Sequence, residues 1–445
     1  MQGNSYLKCI NPKCGREYPI SSVDFQCICK NLLDVKYKKN PSPDLKEVFY
    51  QRRNPEGSIF NESGVWRFRE LLNFCEIDTE NLTQCSKHLV SLDGAEGRQS
   101  KPYHMSKVAK FVGIESKNLM LQPEGYNPSG SFKDNGMSTA VTHAKMVNAK
   151  KIICASTGNT SASAGMFAAN ENMDCDVYIP EGEIAPGKLS QAYQFGTQLI
   201  HVKGNFDDAF TKSLVASKES GSYTVNSINP FRIEGQKTIL YRALEFMNWE
   251  ASDWIVYPGG ALGNTSSCGK AIMELYELGW IKKIPRIAVI NAEGANTLDV
   301  LYNGKFENTE LRWDKGSPDT KLIEDYYVKM NKDHIRPKTK ATAIQIGKPV
   351  NLLKGIRALE FTDGVVTTVT DKEMLDGMSI VGLNGFDCEM ASGAVPAGIK
   401  KLLNDNIMKK DDKIIGILTG RQKEPLLPIN YHNDPTNKFA KPPKR

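Results

Sequence analysis

From residue 106 onward, short apolar runs alternate with longer amphipathic stretches. Strand-like runs stand at 119–121, 151–155, 176–179, 198–202, 223–225, 254–257 and 286–290. Between most of them, 161–170, 188–195, 207–217 and 233–248 carry apolar residues at helical spacing. Strands separated by helices predict parallel sheets with helices on both faces, an α/β fold whose ligands bind beyond the carboxyl ends of the strands. The rhythm is absent before residue 106. A cysteine-bearing segment, 1–40, is followed by a polar connector to residue 63 broken by Pro41, Pro43, Pro55 and Gly57. Residues 65–72 then suit a helix lying on the main body, and a loop with Gly94, Gly97 and Pro102 comes next. Charge dominates 302–340, which reads as a surface insertion. The stretch 431–445, with five charged residues and three prolines, reads as an extended tail. There is no internal repeat.

Composition narrows the class. The 445 residues are enough for two or three compact domains, and 40% hydrophobic with 24% charged residues is ordinary for a soluble globular protein. A net charge of +6 comes from 57 basic against 51 acidic residues. The lysines are dispersed, which argues against nucleic acid as the main partner and leaves room for an anionic substrate. No apolar run approaches the roughly 18 residues of a membrane span, and the start at Met1 begins no signal peptide. A cytoplasmic protein, outside the membrane, is expected.

Ten cysteines divide into two groups. Cys75, Cys85, Cys154, Cys175, Cys268 and Cys388 are scattered, mostly in apolar settings, and read as small core residues of a reducing compartment. Cys9 and Cys14, then Cys27 and Cys29, form two pairs about a dozen residues apart. Such pairs suggest a small ribbon in which four thiolates hold zinc. The spacing departs from two C-x2-C pairs, so a ribbon without metal is the competing reading.

The stretch with the most chemistry is 127–137, Asn-Pro-Ser-Gly-Ser-Phe-Lys-Asp-Asn-Gly-Met. Pro128 and Gly130 make a turn, and the periodic run Met137, Ala140, Val141, Ala144 starts a helix. Lys133 is thereby placed at a helix N-terminus, where the dipole disfavours an ammonium and a neutral amine or imine is the easier state. Such a lysine can be a nucleophile; alone, it could equally be a solvated helix start.

Three further loops change that balance. Ser156-Thr157-Gly158-Asn159-Thr160-Ser161 follows a strand and opens an alanine-rich helix, offering amides and short donors, although ordinary capping needs the same residues. Pro258-Gly259-Gly260-Ala261-Leu262-Gly263-Asn264-Thr265-Ser266 places three glycines at a strand-to-helix turn, a phosphate cradle that is neither G-x-G-x-x-G nor a P-loop. Asn226-Ser227-Ile228-Asn229-Pro230-Phe231-Arg232 gathers amides, a hydroxyl and an arginine fit for an oxyanion. A helix-start lysine, a phosphate cradle and a second oxyanion set point to pyridoxal 5'-phosphate (PLP) acting on an anionic amine.

These stretches, with Glu234-Gly235-Gln236-Lys237-Thr238, Leu418-Thr419-Gly420 and Val65-Trp66-Arg67-Phe68-Arg69, resemble threonine synthase over nearly the whole chain. The resemblance implies a fold-type II PLP enzyme: two open parallel-sheet α/β domains preceded by the ribbon 1–40, with a smaller mobile subdomain at roughly 135–225 inside the body 41–445. It implies that Lys133 holds PLP and moves protons, and that Asn159 bonds the ring hydroxyl. Gly260, Ala261, Leu262, Gly263 and Asn264 would hold the cofactor phosphate, and Thr419 would face the pyridine nitrogen. The phosphate of O-phospho-L-homoserine would meet Lys188, Asn226, Ser227 and Arg232, with Thr160 near its carboxylate or phosphate. The implied reaction removes that phosphate from Cγ and adds water at Cβ, in a homodimer of the cytoplasm.

Three departures from the family pattern bear on the substrate. Gly-Glu-Gly-Asn-Thr-Pro-Leu becomes the sequence of 94–102, Lys-Asp-Arg-Gly becomes Lys133-Asp134-Asn135-Gly136, and Gly-Asn-Gly-Gly-Asn becomes Gly260-Ala261-Leu262-Gly263-Asn264. The alternatives are a β-eliminating relative, such as serine/threonine dehydratase or cysteine/cysteate synthase, and a zinc-ribbon binding module with an inactive PLP-like body. The first usually lacks the ribbon and the segment 229–238; the second requires loss of Lys133 or a basic face.

Overall fold

The computed structural model describes residues 5–38, 41–42, 44–53, 59–72, 74, 101–181, 186–204, 206–313 and 320–440. The chain divides into two compact units, one of 1–99 with 127–242 and one of 100–126 with 243–445. In chain order the described strands are β1 (Ser5–Cys9), β2 (Glu17–Pro19), β3 (Leu33–Tyr37), β4 (Leu119–Pro123), β5 (Lys151–Ala155), β6 (Asp174–Pro180), β7 (Gln198–Val202), β8 (Tyr223–Thr224), β9 (Trp254–Pro258), β10 (Arg286–Ala292), β11 (Val365–Val369) and β12 (Ile414–Leu418).

The first unit holds two sheets. β1 runs antiparallel to β2 on one side and β3 on the other, burying Leu7, Cys9, Leu33 and Val35. The second sheet is parallel, in the order β7-β6-β5-β8. Ile152, Ile153, Cys154 and Ala155 of β5 are all buried, the continuous apolar run of a strand covered on both faces. Helices Lys133–Met146, Asn159–Asn170 and Phe206–Ser220 belong to this unit, as does most of Pro230–Phe246.

The second unit is a five-stranded parallel sheet, β11-β10-β9-β12-β4. Its core joins Leu119, Leu121, Val256 and Ile290 from strands to Val395, Ile399 and Leu402 from helix Met390–Asn404. Helix Asp371–Gly382 starts with a reciprocal cap, Thr370 accepting from the Glu373 amide while Glu373 accepts from Thr370. The predicted α/β class with parallel sheets is what the chain adopts. Among the described residues no helix is long and apolar enough to cross a membrane.

Three segments differ from the sequence reading. Residues 65–72, expected as a helix lying on the main body, form a buried 3-10 run, Trp66–Leu72, interrupted at Phe68. Trp66, Arg67, Phe68, Arg69, Leu71 and Leu72 are all buried, so no polar face remains to define an amphipathic helix. The charged stretch 302–340 contains helix Thr320–Lys332, which buries Leu322, Ile323, Tyr326 and Met330 at helical spacing beneath its charges. The expected tail holds part of helix Leu426–Asn433 instead, with Tyr431 buried and donating to Asp376, and Phe439 edge-on to Phe111 at 5.6 Å. Residues 314–319 and 441–445 lie outside the described residues, as do Cys75, Cys85 and the loop 94–100.

The small antiparallel sheet is seated on the parallel one through His143. Its Nε2 lies 2.7 Å from the Ile20 carbonyl and its Nδ1 2.7 Å from the Tyr223 hydroxyl. A carbonyl only accepts, so Nε2 carries the proton and Nδ1 accepts from the tyrosine. Burial pushes the His143 pKa from 6.5 down to about 3, against the Ile20 hydrogen bond, which favours the proton. The folded protein therefore leaves this ring neutral down to about pH 3, while the unfolded chain protonates it near 6.5. Unfolding takes up a proton in that window, so the ring favours the folded state fully above pH 6.5 and progressively less below it. At pH 5 the loss is about 2 kcal/mol. Denaturant unfolding at pH 7 and pH 5 should show His143→Gln less stable than the wild type at pH 7 and less sensitive to the acid shift.

Candidate active site

In the first unit Lys133 is the first residue of helix Lys133–Met146 and is half-buried. The loop before it turns at Asn127, whose carbonyl accepts from Gly130 N at 2.7 Å, with Gly130 at φ 85°. Asp134 locks the loop. Its buried carboxylate accepts from Ser129 N (2.7 Å), Ser129 Oγ (2.5 Å) and Ser163 Oγ (2.6 Å), the last reaching across from helix Asn159–Asn170. Asn159 and Thr160 open that helix beyond the carboxyl end of β5. No side-chain cap covers its N-terminus.

Arg232 stands near the start of helix Pro230–Phe246, 1% exposed. Nη1 donates to the Val225 carbonyl at 3.2 Å, while Nε and Nη2 are buried with no partner. Among the described residues no carboxylate pairs with it. Burial pulls the guanidinium down to about 10, with the neighbouring Cys154 opposing. A buried cation with two idle donors is costly unless an anion meets it. Asn226 has a structural part beyond the phosphate contact expected from the sequence. Its Oδ1 accepts from Ala155 N and its Nδ2 donates to Ala155 O, both at 2.9 Å, so it pins the end of β5. Ser227 follows it half-buried, and Lys188 lies in helix Pro186–Gln194.

In the second unit β9 runs into the glycine-rich loop. A Cβ on Gly259 would lie 2.4 Å from Asn291 Nδ2 and 2.7 Å from Val289 Cγ1, so only glycine fits there. Asn291 Nδ2 in turn donates to the Gly259 carbonyl at 2.8 Å, and Asn351 N donates to the Ala261 carbonyl at 3.2 Å. Helix Gly263–Glu277 then begins with no side-chain cap, and Asn264 Oδ1 and Thr265 Oγ1 are buried without partners. Uncapped helix amides beside idle polar atoms, with the backbone carbonyls tied back, fit a phosphate group. Thr419, just past β12, donates through Oγ1 to Glu389 Oε1 at 2.9 Å, and its amide donates to Ser392 Oγ at 2.8 Å.

Lys133, Asn159, Thr160, Asn226, Ser227 and Arg232 thus sit at strand ends or helix starts of the first unit, and 260–264 with Thr419 at those of the second. Sequence reasoning did not find Ser163, Asn291, Asn351, Glu389 or Ser392. Each is isolated in the chain and gains its role from a distant partner, so no local pattern marks it.

A family profile described as pyridoxal-phosphate dependent enzyme matches residues 99–420. Among solved structures, maize serine racemase is similar with a TM-score of 0.56 and 17% identity, over 75% of this chain and 92% of that one. Diaminopropionate ammonia lyase from Escherichia coli is similar with a TM-score of 0.59 and 13% identity, over 82% and 94%. These neighbours share the fold-type II architecture. Threonine synthase of Methanocaldococcus jannaschii is 36% identical over 96% of this chain and 95% of its own. Threonine synthase of Methanosarcina acetivorans is 32% identical over 97% and 95%. The chain belongs to the threonine synthase family of PLP-dependent enzymes.

The cradle gives a direct test. Gly259→Ala must displace Asn291 and the loop with it. Titration of the purified variant with PLP, followed by its visible absorption, should show affinity reduced by about tenfold or more, while Ala261→Gly changes it little.

Proposed function

We propose that this chain is a carbon–oxygen lyase that converts O-phospho-L-homoserine and water to L-threonine and phosphate. Family membership over nearly the full length supports the reaction class. The observation that carries the substrate is Arg232, whose two idle buried donors call for an anion apart from the one the glycine-rich cradle suits.

PLP, when bound, supplies the electron sink that makes protons next to the amino-bearing carbon removable. Lys133 would hold the cofactor and then serve as the base, taking protons from Cα and Cβ; once phosphate has left Cγ, one proton goes back to Cγ to complete the methyl group, water divides between Cβ and the released phosphate, and the other proton returns to Cα. Asn159 holds the ring hydroxyl, residues 260–264 the cofactor phosphate, and Thr419 the pyridine nitrogen. Arg232 binds the substrate phosphate with Lys188, Ser227 and Thr160, and stabilises the charge it carries away as it departs from Cγ. Asn226 contributes by fixing the end of β5. The homodimeric state and cytoplasmic setting expected from the sequence accompany this reading, as does a structural zinc ion at the four ribbon cysteines, which stand outside the chemistry.

Phosphate release from O-phosphohomoserine should exceed that from O-phosphoserine by orders of magnitude; equal release, or pyruvate from the latter, overturns the assignment. Lys133→Ala should lack the visible absorption of the lysine-bound cofactor. Arg232→Ala should keep that absorption while kcat/KM falls about 30- to 100-fold, the loss of a charge-assisted bond worth about 2–3 kcal/mol. Loss of PLP with normal turnover in excess cofactor would reassign Arg232 to the cofactor.

A further inference from the structure

The four ribbon cysteines lie outside the proposed chemistry, yet the chain gathers them around one point. Cys9 closes β1, and Cys14 follows a turn in which Cys14 N and Gly15 N both donate to the Asn11 carbonyl. A second turn, in which Lys30 N donates to the Cys27 carbonyl, presents Cys27 and Cys29. Cys9 Sγ lies 3.5 Å from Cys29 Sγ and Cys14 Sγ 3.6 Å from Cys27 Sγ, and all four sulfurs fall within 4.8 Å of one another. A tetrahedron with metal–sulfur bonds of about 2.3 Å has edges of about 3.8 Å. All four are free thiols, and each pair bridges the two turns as the edges of such a tetrahedron do. Further donors face the sulfurs: Tyr18 Oη at 3.1 Å from Cys27 Sγ and Asn31 Nδ2 at 3.6 Å from Cys29 Sγ. They are the outer hydrogen bonds that temper thiolate charge at a metal.

Beyond the turns, the same ribbon reaches the arginine helix. The Ile20 carbonyl accepts from His143, whose ring stacks on Phe231 at 3.6 Å between centroids. Phe25, two residues before Cys27, meets Phe231 edge-on at 6.2 Å and Tyr223 at 5.2 Å. Phe231 is the neighbour of Arg232 in the chain.

We propose that Cys9, Cys14, Cys27 and Cys29 bind one zinc ion, and that the metal-closed ribbon braces Phe231 and so positions Arg232 for its anion. The second half rests on the reading of Arg232 as a phosphate-binding residue; the metal site does not. Four thiolates in tetrahedral array select zinc or iron, and zinc needs no change of oxidation state to serve as a purely structural ion.

Elemental analysis of the PLP-loaded protein, grown with zinc and iron both present, should give about one zinc per chain and no iron. Titrating the thiols with a mercurial, beside a chromophoric chelator, should release it. The Cys27→Ser/Cys29→Ser variant should lose the metal and keep its cofactor absorption. With inorganic phosphate as the probe, its affinity should fall several-fold, and KM for O-phosphohomoserine should rise more than kcat falls. Iron, two disulfides, or a metal-free wild type overturns the site. Zinc present, but phosphate affinity unchanged after the mercurial has released it from the wild type, overturns the brace. Because phosphate binding is read without turnover, a different substrate would leave both results interpretable.

Discussion

The first unit depends on how closely two helices approach. A Cβ on Gly235 would sit 1.9 Å from the carbonyl oxygen of Asn135, and one on Gly136 would sit 2.7 Å from the carbonyl oxygen of Arg232. Backbone faces backbone at both points, so neither side can yield. At that separation Thr139 Oγ1 reaches the Phe231 carbonyl (2.7 Å) and Arg242 Nη1 reaches Asn135 Oδ1 (3.0 Å). These bonds satisfy polar residues on a helix buried almost all round, which otherwise would be destabilised by each one. The consequence for function is geometric. Lys133 and Arg232 stand at the starts of these two helices, and fixing the helices at their glycines fixes Lys133 relative to Arg232.

Two devices suited to an anion stand in the chain, and they differ physically. The cradle after β9 offers uncapped backbone amides at a helix N-terminus, neutral donors that put no full charge into the interior when empty. Arg232 is the opposite case, a full charge with idle donors in a dry setting. An anion arriving there would relieve that unfavourable burial, so that binding and charge neutralisation would be the same event. A permanent cofactor suits the first device. A ligand that must arrive as a dianion and leave as inorganic phosphate suits the second, whose attraction grows with the charge on the departing oxygens.

Much of this was legible in the sequence because it is local. Strands β5 through β10 appear as apolar runs, and the loops around Lys133, Asn159 and Gly260 declare themselves by glycine and proline beside short polar side chains. What was hidden is of two kinds. Helix Thr320–Lys332 keeps a helical apolar stripe at 322, 323, 326 and 330, but a dense cover of charge masks it. The support of the site is hidden more deeply. Ser163 holds Asp134 from 29 positions away, Asn291 holds Gly259 from 32, and Glu389 holds Thr419 from 30. Spacing along the chain carries no trace of such pairs, which exist only once parallel strands bring their ends together. Asn226 shows the converse limit: its residue type suggested a ligand, and spacing gave no sign that it also clamps Ala155.

The loop departures from the family pattern can now be weighed by the atoms they move. Leu262, where the pattern has glycine, adopts φ 63°, a left-handed conformation costing a branched side chain about 1–2 kcal/mol. The same side chain is 3% exposed and packs within 3.1–3.7 Å of where a Cβ on Gly355 would lie, and burying a leucine contributes about 1.5–3 kcal/mol. The two terms are of similar size, so the conformation persists without the freedom of glycine. Position 261 changes only a half-exposed side chain, while its carbonyl stays tied to Asn351. Both substitutions therefore leave the backbone amides of the cradle in place. Asn135 is likewise turned away from chemistry, its Nδ2 on the Phe132 carbonyl and its Oδ1 on Arg242. At 135 and 262 the departing side chains are thus taken up by hydrogen bonds and packing of their own.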